Sequence, residues 1–358
     1  MRMPIIALVA VLAIAARPAA AAEHHVPDDH ATIAAALAAA AGGDSVVVAA
    51  GTWFEHDLVL PSGVTLRGAT GDPADVVIDA QRLARCLYGA ALAAGTRLED
   101  LTLQNGLPAW GATPHNAWGA GLMVDTGDLA VTRCVFRGNE TAVGGGAFVT
   151  GTGSPTFTDC LFDANTATES AGLRLGGACT PTVRGCSFRG ADRCMAGGGM
   201  TWSGAGTATV VDCLVEDNAV WETAGGVEVL GSAARLVMTG CTLRGNSADI
   251  GGAGLYVGNG ARAVVTDCTI TANSAGDYGG GVVVSWSSLL EAANTTVAGN
   301  TAPDGPAGYV GSTGAAVLTC CDADPAGWSG TGTITFIDDG CGVDRAPASW
   351  GGMQALFR

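Results

Sequence analysis

A short signature, Cys-x-apolar-x-x-Asn followed by a cluster of glycines, returns along this chain from residue 134 to about 308. It stands first at Cys134-Val135-Phe136-Arg137-Gly138-Asn139 and again from Cys160 to Asn165. The copy at Cys186 carries Ala191 in the Asn position, and full copies follow at Cys213, Cys241 and Cys268. A last copy puts Thr295 in the Cys position and keeps Val297 and Asn300. Successive copies start 26, 26, 27, 28, 27 and 27 residues apart. So short a unit, made of β-like apolar runs bounded by Gly or Asn, cannot bury a face alone, but it can by stacking on copies of itself. The regularity predicts an all-β chain wound as a single-stranded parallel β-helix, a solenoid of about ten or eleven coils.

Stacking assigns roles to the repeated residues. In the copy at Cys268, strand alternation would turn Val264, Thr266, Cys268 and Ile270 inward and leave Asp267, Thr269 and Thr271 outside. The Asn sits at a turn, where it tolerates left-handed backbone and can bond to the Asn of the next coil, which predicts an internal Asn ladder. Twelve Cys in an exported chain would ordinarily suggest a disulfide framework. Stacked Cys with parallel Cβ vectors, however, keep their Cβ atoms ~4.8 Å apart, beyond the roughly 3.5–4.5 Å that a disulfide prefers. The repeat cysteines are therefore expected to be reduced core residues. Bridges are expected outside the ladder, as Cys179 with Cys194, or Cys341 with Cys320 or Cys321.

Residues 1–22 read as a secretory signal peptide: Arg2, an apolar run Ile5–Ala16, then Arg17-Pro18 and small residues up to Ala22. The run is shorter than the ~20 residues of a bilayer span, so cleavage near Ala22/Glu23 and a secreted or cell-surface protein without a transmembrane segment are expected. The β-helix is assigned to residues 23–319 and a C-terminal cap to 320–358. A capping helix over about 29–41 would begin at Asp29, bury Ile33 and Leu37 and stop at Gly42-Gly43. Strands are expected at Ser45–Ala49, Gly51–Phe54, Leu58–Leu60, Val64–Arg67, Val76–Asp79 and Thr331–Ile337. The 17 basic residues, all Arg, face 33 acidic ones for a net charge of −16. That balance excludes the basic stripe nucleic-acid binding requires, and a monomer is expected.

The stretch TIAAALAAAAGGDSVVVAAGTWFEHDLVLPSGVTLRGATGDPADVVIDA, residues 32–80, resembles the start of secreted β-helix proteins of the pectate-lyase-like superfamily. The Asn-then-Gly-Gly units are similar to the repeats of polymorphic outer-membrane proteins. Together the resemblances span roughly residues 28 to 308 and imply a right-handed coil. Polymorphic outer-membrane proteins end in a β-barrel translocator, for which the residues after 308 leave no length, so anchoring in the outer membrane by a barrel is not expected.

Three surfaces are candidates for chemistry. Three residues after each Cys, the series Arg137, Asp163, Arg189, Glu216, Arg244, Thr271 alternates in sign, and before Cys stand Arg133, Asp159, Asp212 and Asp267. β-Helix polysaccharide lyases set calcium-binding carboxylates and a base on such a face, which makes Asp159, Asp163, Asp212 and Glu216 with Arg189 or Arg244 the candidates for a lyase. A register-holding ion-pair stripe explains the same charges. After each Asn come Glu140, Glu169, Asp192, Glu222, Asp249 and Asp277, a column that would take up calcium or simply be hydrated. An insertion between Asn105 and Gly119 carries Trp110, His115 and Trp118, and with Trp221 and Tyr278 these would stack on a sugar ring or pack the loop down. Polygalacturonase-type paired Asp and Gly-His-Gly motifs are missing, and no His lies in the repeats. His24 and His25 fall at the expected mature N-terminus, where disorder is the default. No cofactor is required, calcium being the one candidate. The reading is a non-catalytic protein binding glycan or another envelope component. A lyase for acidic glycans and a purely structural envelope protein are the alternatives.

Overall fold

The computed structural model describes residues 21–111, 117–192, 194–338 and 341. Every strand pairing in it is parallel, and each coil lays one strand on each of three long sheets. Thirteen strands form the first sheet and eleven each the second and third, with strand order following the sequence. One coil runs through Gly127–Thr132 in the first sheet and Val135–Arg137 in the second, then Glu140–Val143 in a smaller fourth sheet of six strands, and Ala147–Val149 in the third. The chain is thus an all-β parallel β-helix, with eleven passes through two of its faces among the described residues. No helix among them is long and apolar enough to cross a membrane.

Equivalent side chains stack as the repeat requires. Phe136, Phe162 and Phe188 are fully buried and stack face to face, with ring centroids 4.7 Å apart in both pairs. Beside them Cys134, Cys160, Cys186, Cys213, Cys241 and Cys268 form a buried column of free thiols. Their sulfurs donate to the carbonyl two residues back, as Cys134 Sγ does to Thr132 at 3.4 Å. Cys320 and Cys341 form the disulfide. Cys179 and Cys194 are free instead of bridged, because Cys179 packs in the main core and Cys194 in a small separate cluster behind the fourth sheet.

The inward set expected around Cys268 is partly wrong. Ala263 and Val265 are buried with Cys268 and Ile270, whereas Val264 and Thr266 are half-exposed. The cause is a corner: Asp267 has φ 55°, as do its counterparts Arg133 (49°), Asp159 (53°) and Asp212 (53°). A left-handed residue between the first and second sheets turns the chain and breaks the strand alternation. Two of these Asp corners face a Gly in the next coil: a Cβ on Gly185 would lie 2.3 Å from Asp159 Oδ1, and one on Gly240 2.5 Å from Asp212 Oδ1.

The Asn ladder is internal. Asn139 donates from its backbone N and from Nδ2, both 3.1 Å, to Asn165 Oδ1, and Asn165 Nδ2 donates to Phe136 O at 2.8 Å. The same pattern links Asn218, Asn246, Asn273 and Asn300, and Ala191 interrupts it.

At the N-terminal end the helix runs Ile33–Ala39, shorter than expected, with Thr32 as its cap: Thr32 Oγ1 accepts from Ala35 N at 3.1 Å. Glu55 reaches across to take the N–H groups of Ile33 and Ala34 at 2.8 and 2.9 Å. Asp29 is not the cap; it accepts from His25 N at 2.9 Å. Residues Glu23–Val26 are ordered against expectation, as the first strand of the thirteen-stranded sheet, paired to Ser45–Val48. The helix covers this end of the core with Ile33, Ala36 and Leu37. Thr333–Ile337 is the last strand of the first sheet at the other end.

Candidate functional site

The charged stripe forms as a true column. Arg137, Asp163, Arg189, Glu216, Arg244 and Thr271 are register partners from coil to coil on the second sheet. Asp163 accepts from Arg137 Nε at 3.1 Å and from Arg189 Nε at 3.0 Å, one on each side. Arg244 grips Glu216 with Nε and an Nη at 2.9 and 2.6 Å. Asp212, at the neighbouring corner, pairs with Arg184 at 3.1 Å. Asp159, its counterpart, lies against Gly185. The candidate lyase residues therefore share one face, where Asp163, Glu216 and both arginines are held in ion pairs. The guanidinium groups of Arg189 and Arg244 are thus engaged by carboxylates of neighbouring coils, which is the arrangement a register-holding stripe requires.

The acidic turn residues do not line up as one column. Glu140 is in register with Thr166, whereas Glu169 is in register with Val143 and Ala196. Glu140 is paired with Arg82 at 2.5 Å and Glu169 with Arg174 at 3.6 Å. A bulge in the strand Ala219–Thr223 displaces Trp221 and Glu222, and Asp249 and Asp277 follow in later coils. Asp192 also lies in this turn region, just before the fourth-sheet strand Cys194–Ala196. Among the described residues no three His, Cys, Asp or Glu side chains converge on a possible metal position.

Three of the aromatic candidates, Trp118, Trp221 and Tyr278, lie on one edge, along the fourth sheet. Trp118 bridges to Val143, and the same register continues through Glu169, Ala196, Thr223 and Gly251 to Tyr278. Trp118 rests edge-on against Phe148, centroids 5.5 Å apart, and Tyr278 packs against Tyr309 at 4.7 Å. Trp221 is 57% exposed and Trp110 81%. The buried Arg85 anchors the end of the insertion, donating to Trp118 O at 2.7 Å and Gly119 O at 3.0 Å. His115 lies outside the described residues. The aromatics are not brought into one pocket. Four coils separate Trp118 from Trp221 and two more separate Trp221 from Tyr278, so they are spaced about 19 Å and about 10 Å along the axis at ~4.8 Å per coil.

Beside this edge runs a row that sequence reasoning missed. On the outer side of the third sheet Met123, Phe148, Arg174, Thr201, Glu228, Tyr256, Val283 and Tyr309 are successive register partners. Thr201, Glu228, Tyr256 and Val283 are buried although they point away from the core. Each coil enters the third sheet through a left-handed turn, glycine at 144, 197, 252 and 279. That turn folds down onto the row: a Cβ on Gly197 would lie 1.9 Å from Thr201 Oγ1 and 3.4 Å from Glu228 Oε2. Burial pushes the Glu228 carboxyl up to about 7, with Arg174 and the Thr201 hydroxyl, which donates at 3.2 Å, pulling the other way. The signal was present in the sequence, as a charge at the centre of an apolar triplet in Leu173-Arg174-Leu175 and Val227-Glu228-Val229.

Residues 111–250 match the protein family described as the right handed beta helix region, which gives the coil its hand. Among solved structures, pectate lyase Pel9A is 13% identical with a TM-score of 0.42, over 88% of this chain and 78% of that one. The catalytic unit of an α-1,3-glucanase from Streptomyces thermodiastaticus is 16% identical with a TM-score of 0.42, over 92% and 70%. A polygalacturonase from Erwinia carotovora is 12% identical with a TM-score of 0.39, over 91% and 97%. No residue role is carried over from them. No curated protein sequence matches the chain.

Proposed function

We propose that this right-handed β-helix is an exported, non-catalytic scaffold that binds an extended glycan, or a comparable envelope polymer, along its fourth-sheet edge. The observation that carries this is the recurrence of aromatic residues along one edge, Trp118 and Tyr278 in one register and Trp221 on a strand between them, with Trp221 57% exposed. Aromatic faces spaced along a rigid track suit a long polymer that touches several of them, and a small ligand would meet only one. Trp110, 81% exposed on the adjoining insertion, is a further aromatic candidate for the same polymer. The scaffold reading also draws on the ion-paired state of Asp163, Glu216, Arg189 and Arg244.

A glycan array run with and without calcium, followed by an ultraviolet assay for unsaturated products, tests the proposal. Binding without product formation is expected. It should fall at least about tenfold in a Trp118→Ala/Trp221→Ala variant whose melting matches the parent, as for loss of well-packed aromatic anchors. Unsaturated products abolished by Arg189→Ala or Arg244→Ala would replace this reading with the lyase. Absence of binding to any glycan would leave a structural envelope role.

A further inference from the structure

The N-terminal cap brings together two histidines that lie six positions apart in sequence. His24 is on the strand Glu23–Val26 and His30 in the turn before the helix. His24 Nδ1 and His30 Nε2 face each other at 3.1 Å, with ring centroids 5.2 Å apart. On the opposite side of its ring, His24 Nε2 lies 3.3 Å from Asp44 Oδ2. Asp44 is itself fixed by Ala22 N at 2.8 Å and Ala41 N at 2.9 Å. A carboxylate in that position holds the proton on Nε2, which leaves Nδ1 as a lone pair directed at His30. The His24 and Asp44 side chains are only 17% and 14% exposed, so the ring cannot swing freely.

We propose that His24 and His30 form a two-imidazole site for a divalent cation that prefers nitrogen ligands, Ni2+, Cu2+ or Zn2+, with Asp44 as the orienting carboxylate. Metal–nitrogen bonds of ~2.0–2.1 Å to two nitrogens 3.1 Å apart enclose about 98°. That lies between the roughly 90° of square-planar or octahedral and the roughly 109° of tetrahedral coordination, so water fills the remaining positions. Ca2+ and Mg2+ take oxygen ligands and are excluded. His25, on the same strand, turns away to Glu23 at 3.4 Å and takes no part. A bound ion would tie the first strand of the solenoid to the turn that leads into its capping helix.

The test uses the full chain without an affinity tag, titrated calorimetrically with Ni2+ and with Ca2+ and followed by thermal scans. Binding of one Ni2+ with a rise in melting temperature is expected, with neither effect from Ca2+. His24→Ala and His30→Ala should each weaken Ni2+ binding at least about tenfold and remove the thermal shift. Asp44→Asn should weaken it about 10- to 100-fold, as loss of an orienting carboxylate does, and His25→Ala should leave it unchanged. His30 lies outside the strand pairing of Glu23–Val26 with Ser45–Val48, so His30→Ala gives a result even if His24→Ala disturbs the cap. Undiminished binding in His30→Ala, or no heat and no thermal shift with Ni2+, would overturn the proposal and leave the pair as a simple imidazole–imidazole hydrogen bond.

Discussion

Replacing Ala191 by Asn should stabilise the molecule, because it fills the one gap in the Asn ladder between Asn139 and Asn300. In an intact rung such as Asn246, Oδ1 accepts from Asn218 N and Nδ2 at 3.3 and 2.9 Å, and Nδ2 donates to Val215 O and Asn273 Oδ1, both at 3.0 Å. At Ala191 only the backbone N takes part, donating to Asn218 Oδ1 at 3.1 Å. A narrow gap, lined among others by Phe162, Asn165, Phe188, Ala191 and Asn218, lies where the side chain would go. By equivalence, an Asn there gains up to four hydrogen bonds: two from Asn165, one to Phe162 O and one to Asn218 Oδ1. At about 1 kcal/mol net each, less about 1 kcal/mol for fixing the side chain, and with imperfect fit, the gain is about 2 kcal/mol. For a chain of this size that raises the melting midpoint by about 3 °C. Differential scanning calorimetry of Ala191→Asn beside Asn246→Ala is the assay. The second variant strands buried donors and should lose about 3 kcal/mol or more. An unchanged or lowered midpoint for Ala191→Asn, with only a small loss for Asn246→Ala, would show that the ladder follows the fold without supporting it.

Two further outcomes follow from buried groups. Glu228 ionises at about 7 in the folded chain against an ordinary 4.5, so between those values the native state holds a proton that the unfolded state has released. Stability should therefore fall as pH rises from about 4.5 to about 7, by an amount on the order of 3 kcal/mol, and level off above. Glu228→Gln, which keeps a partner for the Thr201 hydroxyl, should flatten that slope in pH-dependent melting; an unaltered slope would place the titration elsewhere. The ladder thiols should resist alkylation in the native state, since burial pushes Cys134 up to about 12. Mass analysis after alkylation without reduction, in denaturant, should count ten modified cysteines and leave the Cys320–Cys341 pair unmodified; a fully oxidised ladder would contradict the packing.

What the sequence revealed is whatever repeats. The positions of Cys134, Phe136 and Asn139 each return once per coil, so period alone placed them in columns and set the charged series on one face. The corners were invisible to that reasoning, because Asp159 and Asp267 are polar whether they end a strand outward or turn a left-handed bend. The fourth sheet was missed because each pass through it buries little, its cluster being built mostly of small residues such as Ala171, Ala191 and Ala248. Glu228 was missed because apolar neighbours on both sides mark a strand without saying which way its middle residue points. The histidine pair depends on Glu23–Val26 pairing with Ser45–Val48, a contact between segments some twenty residues apart that local pattern does not report.

The alternating charges of the second sheet give the number of coils a parity. Arg137, Asp163, Arg189, Glu216 and Arg244 attract only because neighbours differ in sign. Excising the single coil that begins at Cys160 would set Arg137 directly under Arg189, like upon like, and opposed charges would become a repulsive rung. Excising two would seat Arg137 against Glu216 and restore the match. A solenoid of this kind grows or shrinks most smoothly by pairs of turns.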